Sequence, residues 1–386
     1  MRRVAVVGAG MIRFGELFDK GYKDMVQEAY LKCLESVDKG IVPKEIDAGW
    51  LGCYYETDGQ TTGLMADHLG LLEIPWTRVE NACASGGDAI RNAFLAVASG
   101  YYDVVLVVGA EKMRDVPTNM FGWKGTEKSR DFIWDYPIGI TGAANFAMHA
   151  VRHMHEYGTT KEQMALVAVK NHKYGAKYPY AHFRREITVE DVLRSPMVAY
   201  PFSLLDCCPQ TDGAAAVVLA AEEVAKKFTD TPVFIAGAST GQDRCMHMEK
   251  EDMACFPSTI RAARRAYKMA CIENPTKEID VAELHDCFTM TEIITYEDLG
   301  FCKRGEGGKF IEEGQSELGG IVACNLSGGL KAKGHPIGAT GVAQCAEIFW
   351  QLRGEAHVQA EGAEVGLTHN IGGPTAASCV IIYRVC

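Results

Sequence analysis

The chain carries one pattern twice, and a duplicated pattern restricts the folds open to it. An apolar, strand-like run ending in small residues at 3–10 has its counterpart at 232–239. Each run is followed by an amphipathic helix. Val26, Ala29, Tyr30, Cys33, Leu34 and Val37 keep the 3.6-residue period in the first copy, and Ile260, Ala263, Tyr267 and Ala270 keep it in the second. The closest echo is Lys44-Glu45-Ile46-Asp47-Ala48 against Lys277-Glu278-Ile279-Asp280-Val281, an offset of 280 − 47 = 233 residues. Apolar strands close each half, at 104–108 and 214–219, then at 364–368 and 378–383. Strands alternating with helices need crossover connections, so the pattern predicts an α/β fold of two βαβ-rich halves, largely parallel sheets, and helices on both faces. The halves divide as 1–225 and 226–386. The first carries an insertion over about 111–205, with aromatic residues (Phe121, Trp123, Phe132, Trp134, Tyr136) and helices predicted near 141–157 and 161–174.

Composition excludes several classes of function. With 47% apolar and 23% charged residues the chain has ample core material, yet no apolar run approaches the ~18 residues of a membrane helix. The N-terminus enters a strand at once, leaving no room for a signal peptide, so a cytoplasmic protein without membrane attachment is expected. The 14 cysteines are scattered without a CxxC pair, which predicts reduced thiols. A net charge of −11 argues against nucleic acid, and any polyanionic ligand must be met by local basic side chains. Gly8-Ala9-Gly10 suggests a nucleotide fingerprint, but Arg13 stands where the third glycine would be. His153 and His155 lie two apart on a predicted helix and face different sides, and no Cys/His set has zinc spacing, so no metal is expected.

Three segments carry chemistry. Cys83, in Asn81-Ala82-Cys83-Ala84-Ser85-Gly86-Gly87, follows a predicted strand at 77–80 and precedes a helix predicted over about 88–98. Its sulfur would lie near a helix N-terminus, where free N–H groups and the macrodipole favour thiolate. His335, in Gly334-His335-Pro336-Ile337-Gly338-Ala339-Thr340-Gly341, sits at a loop-to-helix junction with glycines beside the ring. A neutral imidazole there can take the proton of a thiol and then stabilise an enolate oxygen. His285 and Cys287, in His285-Asp286-Cys287-Phe288, stand where a predicted strand ends, the edge at which open α/β sheets bind ligands.

In their order and approximate separations along the chain the three motifs resemble the thiolase family, in particular its sterol-carrier-protein-2-like and archaeal branch, from Val4 to Tyr383. The resemblance implies the duplicated thiolase fold, a layered αβαβα sandwich with the insertion as a loop domain over the substrate. It implies Cys83 as nucleophile, His335 as base, and His285 in place of the asparagine that usually holds a catalytic water. Asn370, in His369-Asn370-Ile371-Gly372-Gly373, occupies the usual place of a second catalytic cysteine, so Cys287 is the expected substitute acid, with His369 as the reserve. The backbone N–H groups of Cys83 and Gly372 would form an oxyanion hole. Asp286 is expected to cap a turn, and Cys324 and Cys379 to pack. Coenzyme A is implied as co-substrate, with no permanently bound cofactor, and Lys170, Lys173, Arg184 and Arg185 are candidates for its phosphates.

The implied reaction is reversible thiolysis of a 3-oxoacyl-CoA, acetoacetyl-CoA or a bulkier aromatic ester such as benzoylsuccinyl-CoA. A homodimer or tetramer, with a small partner built from a zinc ribbon and an OB-fold, is implied as well. A ketoacyl-synthase-like enzyme would pair the cysteine with His335 and His369, but Cys287 and the intact G-H-P-x-G-A-T-G segment count against it. A non-catalytic acyl-CoA-binding scaffold would lack a catalytic position, and none is visibly lost.

Overall fold

The computed structural model describes residues 1–55, 61–115 and 140–385. The insertion's aromatics at 121, 123, 132, 134 and 136 lie outside them. The first half runs β1 (Val4–Met11), α1 (Tyr22–Glu35), β2 (Ala48–Gly52), α2 (Thr61–Leu69), β3 (Trp76–Val79), α3 (Ser85–Ala98) and β4 (Val104–Glu111). The insertion contributes α4 (Gly142–Tyr157), α5 (Lys161–Gly175), α6 (Val189–Arg194) and a hairpin of β5 (Met197–Ala199) and β6 (Phe202–Ser203), before β7 (Gly213–Ala221) and α7 (Glu222–Ala225). The second half comprises β8 (Val233–Gln242), α8 (Pro257–Ala270), α9 (Pro275–Glu278), β9 (Val281–Glu283), α10 (Thr289–Asp298), α11 (Gly307–Glu312), β10 (Ala323–Cys324), α12 (Gly329–Ala332), α13 (Ile337–Arg353), β11 (Val365–Gly372) and β12 (Ala377–Arg384).

The duplication is visible in strand order. The first half pairs β3-β2-β4-β7-β1 and the second β10-β9-β11-β12-β8, and the two join through Ala5 opposite Phe234 and Val6 opposite Val233. The sheets are mixed, which corrects the expectation of largely parallel ones. β2 is parallel to β3 and β4, and β9 to β10 and β11, but every pair from β4 through β7, β1, β8 and β12 to β11 is antiparallel. The reason lies in the last strand of each half, which returns as a hairpin partner and not by a crossover. In the second half β11 turns straight into β12. In the first, the insertion stands at the equivalent turn, leaving at Glu111 and returning at the directly opposite Gly213, so its length does not disturb the sheet.

β1, β4 and β7 are buried at every residue, and apolar except for Glu111 at the end of β4, because helices cover both faces. α1 packs outside the first sheet and α8 outside the second, while α3 and α13 lie between the sheets and touch both. α13 is buried over its whole length except Trp350 and Arg353, and it rests on β4 and β7 of the first half as well as on β11. Where α3 and α13 meet, glycine is demanded by contact: a Cβ at Gly341 would lie 2.1 Å from the Gly87 nitrogen, and one at Gly86 2.7 Å from the Gly338 carbonyl. These glycines therefore serve backbone against backbone. The insertion's α4 and α5 pack over α10, α11 and α12 of the other half.

Candidate active site

α3 begins at Ser85, three residues before the expected start, which sets Cys83 in the tight turn that precedes it. Ala82 adopts φ 47°, a left-handed conformation unusual for a residue with a Cβ. Local bonds hold it there: the Ala82 amide donates to Glu80 Oε1 at 2.6 Å, and Ser85 Oγ donates to the Ala82 carbonyl at 2.5 Å. The result turns the Cys83 side chain toward the ends of β9 and β11. Gly372 closes against this turn, since a Cβ on it would sit 2.1 Å from the Asn81 carbonyl.

Cys83, His285, Cys287 and His335 line one apolar pocket of about 80 Å³, walled further by Tyr54, Tyr55, Met113, Phe146, Cys208, Phe288 and Gly373. Reactive atoms of Cys83, His285 and His335 all lie within 4.8 Å of one another. The two imidazoles meet edge to face, ring centres 5.0 Å apart. Cys83 and Cys287 are free thiols, and Cys287 Sγ lies 3.7 Å from Thr291 Oγ1.

Thr340 fixes the state of His335. Its hydroxyl donates to the Pro336 carbonyl at 2.9 Å, so at 2.7 Å from His335 Nδ1 it must accept, which puts the ring proton on Nδ1. Nε2 is left buried with a lone pair and no hydrogen-bond partner. His285 Nδ1 is likewise unpartnered. Burial pushes the His335 pKa down to about 3, and burial, then the neighbouring His335 and His369, hold His285 well below the usual histidine range. Both rings are therefore neutral bases.

Cys83 departs from expectation. Burial, then the carboxylate of Glu111, pushes its thiol up to about 12, against the opposing effect of its own backbone amide. Position at a helix N-terminus does not outweigh these, and the resting pair is thiol and neutral imidazole. Glu111, which the sequence offered only as an insertion boundary, ties the site together by accepting from the amides of Tyr54 at 3.0 Å, Tyr55 at 2.8 Å and Gly338 at 2.9 Å.

Asp286 holds a turn, as expected. It accepts from the Leu330 amide at 2.6 Å and from Asn171 Nδ2 of α5 at 2.6 Å, linking the His285 segment to both α12 and the insertion. Asn370 and His369 do not line the pocket. They alternate on β11, so Asn370 donates to Gln344 of α13 at 2.5 Å while His369 Nε2 lies 2.9 Å from Thr259 of α8. Cys379, opposite Asn370, is buried beside Gly87.

Of the basic candidates, Lys170 is removed by burial: its ammonium lies 2.8 Å from Glu292 and donates to the Cys324 carbonyl at 2.7 Å, so no phosphate can reach it. Lys173 is half-exposed and paired with Glu317, and Arg184 and Arg185 are exposed. The latter two follow His182 and Phe183, whose amides bind the Lys333 and Ala332 carbonyls beside the His335 loop. The thiol of Cys208 was missed. It stands on the pocket wall because the 207–208 segment pairs with 287–288, a contact invisible in sequence.

Residues 4–223 match the family "Thiolase, N-terminal domain", and residues 239–385 match "Thiolase C-terminal domain-like". The acetyl-CoA acetyltransferase of Methanothermobacter thermautotrophicus is 45% identical, over 99% of this chain and 100% of its own. Subunit BbsB of the benzoylsuccinyl-CoA thiolase of Thauera aromatica is 34% identical, over 96% of this chain and 95% of its own. Among solved structures, the Ltp2-ChsH2(DUF35) aldolase superposes with a TM-score of 0.87 at 29% identity, covering 99% of this chain and 98% of that one.

Proposed function

The chain belongs to the thiolase family and is an acyl-CoA C-acyltransferase, and from that premise we propose that it works through an acyl-enzyme on Cys83 with a short 3-oxoacyl-CoA, acetoacetyl-CoA first among them. His335 Nε2 takes the Cys83 proton as sulfur attacks the 3-keto carbon, and the new Nε2–H then faces the thioester oxygen. The Cα–Cβ bond breaks, its electron pair leaves as the acetyl-CoA enolate, and Cys287 supplies the proton to that carbon. The thiol of coenzyme A then gives its proton to the Cys287 thiolate and takes the acyl group from Cys83, whose sulfur recovers its proton from His335, and condensation is the same path reversed. His285 orients a water beside the enolate oxygen, and the Cys83 and Gly372 amides receive the oxygen of the acyl-enzyme's tetrahedral intermediate.

The observation that carries this reading is the convergence of Cys83, His285 and His335 within 4.8 Å, on a pocket that Cys287 also lines. Pocket size supports a small acyl group. At about 10–15 Å³ for each water-sized occupant, 80 Å³ among the described residues takes roughly five to eight non-hydrogen atoms. An acetoacetyl group is of that size. The solved aldolase relative raises retro-aldol cleavage as a rival, but that reaction forms no acyl-enzyme and leaves Cys83 without a task. Mass spectrometry after mixing with acetoacetyl-CoA tests the proposal: an acetyl adduct on Cys83, absent in Cys83→Ala, is expected, and an adduct on another cysteine overturns it.

Self-association as a dimer or tetramer fits β3, a sheet-edge strand next to the Cys83 turn. A small partner protein, with the zinc ribbon and OB-fold that the family resemblance implies, is in keeping with the two-component name of the Ltp2-ChsH2(DUF35) aldolase. Arg184 and Arg185 are the remaining exposed arginines proposed for the coenzyme A phosphates. Among the described residues no helix is long and apolar enough to cross a membrane.

A further inference from the structure

We propose that Cys83, His285 and His335 also form a binding site for a thiophilic divalent cation, zinc above all, and that occupation of this site silences the nucleophile. The cluster is assembled from segments 285 − 83 = 202 and 335 − 285 = 50 residues apart, so no spacing in the sequence announces it. One sulfur and two imidazole nitrogens are the donor set that zinc prefers. Their atoms lie within 4.8 Å of one another, whereas donors about 2.0–2.3 Å from a tetrahedral zinc stand roughly 3.5 Å apart. Closing that gap takes about an ångström of side-chain rotation.

Both histidines are preset for the task. Each is almost fully buried, neutral, and carries a ring nitrogen with no hydrogen-bond partner: Nδ1 of His285 and Nε2 of His335. The other nitrogen of His335 is anchored on Thr340 at 2.7 Å, as the outer nitrogen of a metal-ligating histidine usually is. On binding, Cys83 gives its proton to solvent, its thiolate and the imidazole lone pairs fill three positions, and a water or the thiol of coenzyme A takes the fourth. No electrons are transferred. A sulfur lone pair held by the metal cannot attack a carbonyl, so inhibition is reversible and lifted by chelation.

The site is shared with the proposed acyl transfer, and only the effect on turnover rests on that reading. The test is therefore spectroscopic. The full chain, treated with chelator and freed of added thiols, is titrated with Co²⁺, and Zn²⁺ is then used to displace it. One cation per chain is expected, with a thiolate-to-cobalt band in the near ultraviolet. Cys83→Ser, His285→Asn and His335→Asn should each weaken binding by about tenfold or more, while Cys379→Ala should not. Alkylating Cys83 in the unsubstituted protein should abolish the band, which excludes misfolding as its cause. A thiolate band that survives alkylation, cobalt bound without that band, or no binding to folded protein overturns the proposal. A missing acyl adduct on Cys83 would sink the acyl-transfer reading and leave the cobalt spectrum unchanged.

Discussion

Replacing Thr340 with valine removes one hydroxyl and keeps the shape, and it isolates what holds His335 ready. The hydroxyl accepts the Nδ1 proton at 2.7 Å and is itself committed to the Pro336 carbonyl. In Thr340→Val the imidazole has two choices. It can keep its proton on Nδ1 without a partner, a buried loss of about 1–3 kcal/mol. Or it can move the proton to Nε2, where the lone pair proposed to accept from Cys83 disappears. Either way the productive tautomer loses about 1–3 kcal/mol, and at about 1.36 kcal/mol per decade of rate acylation of Cys83 should slow by about 5- to 150-fold. Quenched-flow mixing with acetoacetyl-CoA, followed by mass spectrometry of the acyl-enzyme, reads that step directly. Thr340→Ser should recover most of the rate, since it restores the acceptor. A wild-type acylation rate in the valine variant, or a serine variant as slow as valine, would refute the argument that this hydroxyl sets the tautomer.

Cys287→Ala should lose turnover by about 10²–10⁴ while still accepting an acyl group on Cys83, and Cys379→Ala should be nearly silent. Wild-type turnover in the first, or a dead enzyme in the second, would move the proton donor elsewhere. With the Cys83 thiol raised to about 12, the thiolate fraction grows as pH rises and stays small throughout the neutral range. Alkylation of the free enzyme by iodoacetamide should therefore quicken about tenfold per unit between about pH 6 and 9, whereas a plateau below pH 8 would reveal a resting thiolate–imidazolium pair. The double variant Arg184→Ala, Arg185→Ala should raise KM for coenzyme A with kcat retained, and an unchanged KM would remove these arginines from the phosphate site.

Legibility differed between the duplication, the candidate site residues and their surroundings. The repeat could be read because its signals, apolar strands and 3.6-period helices, are local. Cys83, His285, Cys287 and His335 could be read because each stands in a short segment of unusual composition, and the fold gathers all four on one pocket. What escaped depends on contacts across the chain. Glu111, Thr340 and Cys208 are ordinary residues in their own segments and acquire roles only through Gly338, His335 and the 287–288 strand end. Lys170 looked like one exposed lysine of a basic run, yet the side that α5 turns inward carries it to Glu292. The mixed sheet was missed because an insertion of about 100 residues hides the hairpin relation of β4 and β7, which the undisturbed turn between β11 and β12 makes plain.

The burial of α13 has a consequence for how the chain is made. Strands β4 and β7 belong to the first half, but α13, which shares the cover of their inner face with α3, ends at residue 353, and the last of those strands ends at 221. A ribosome must add 353 − 221 = 132 residues between the two, which at about 5–20 residues per second takes roughly 7–26 s. Throughout that interval the emerging first half presents an apolar strip with no cover. A truncated product ending after β7 would keep that strip exposed for good, and such a fragment should depend on chaperones and aggregate when released from them.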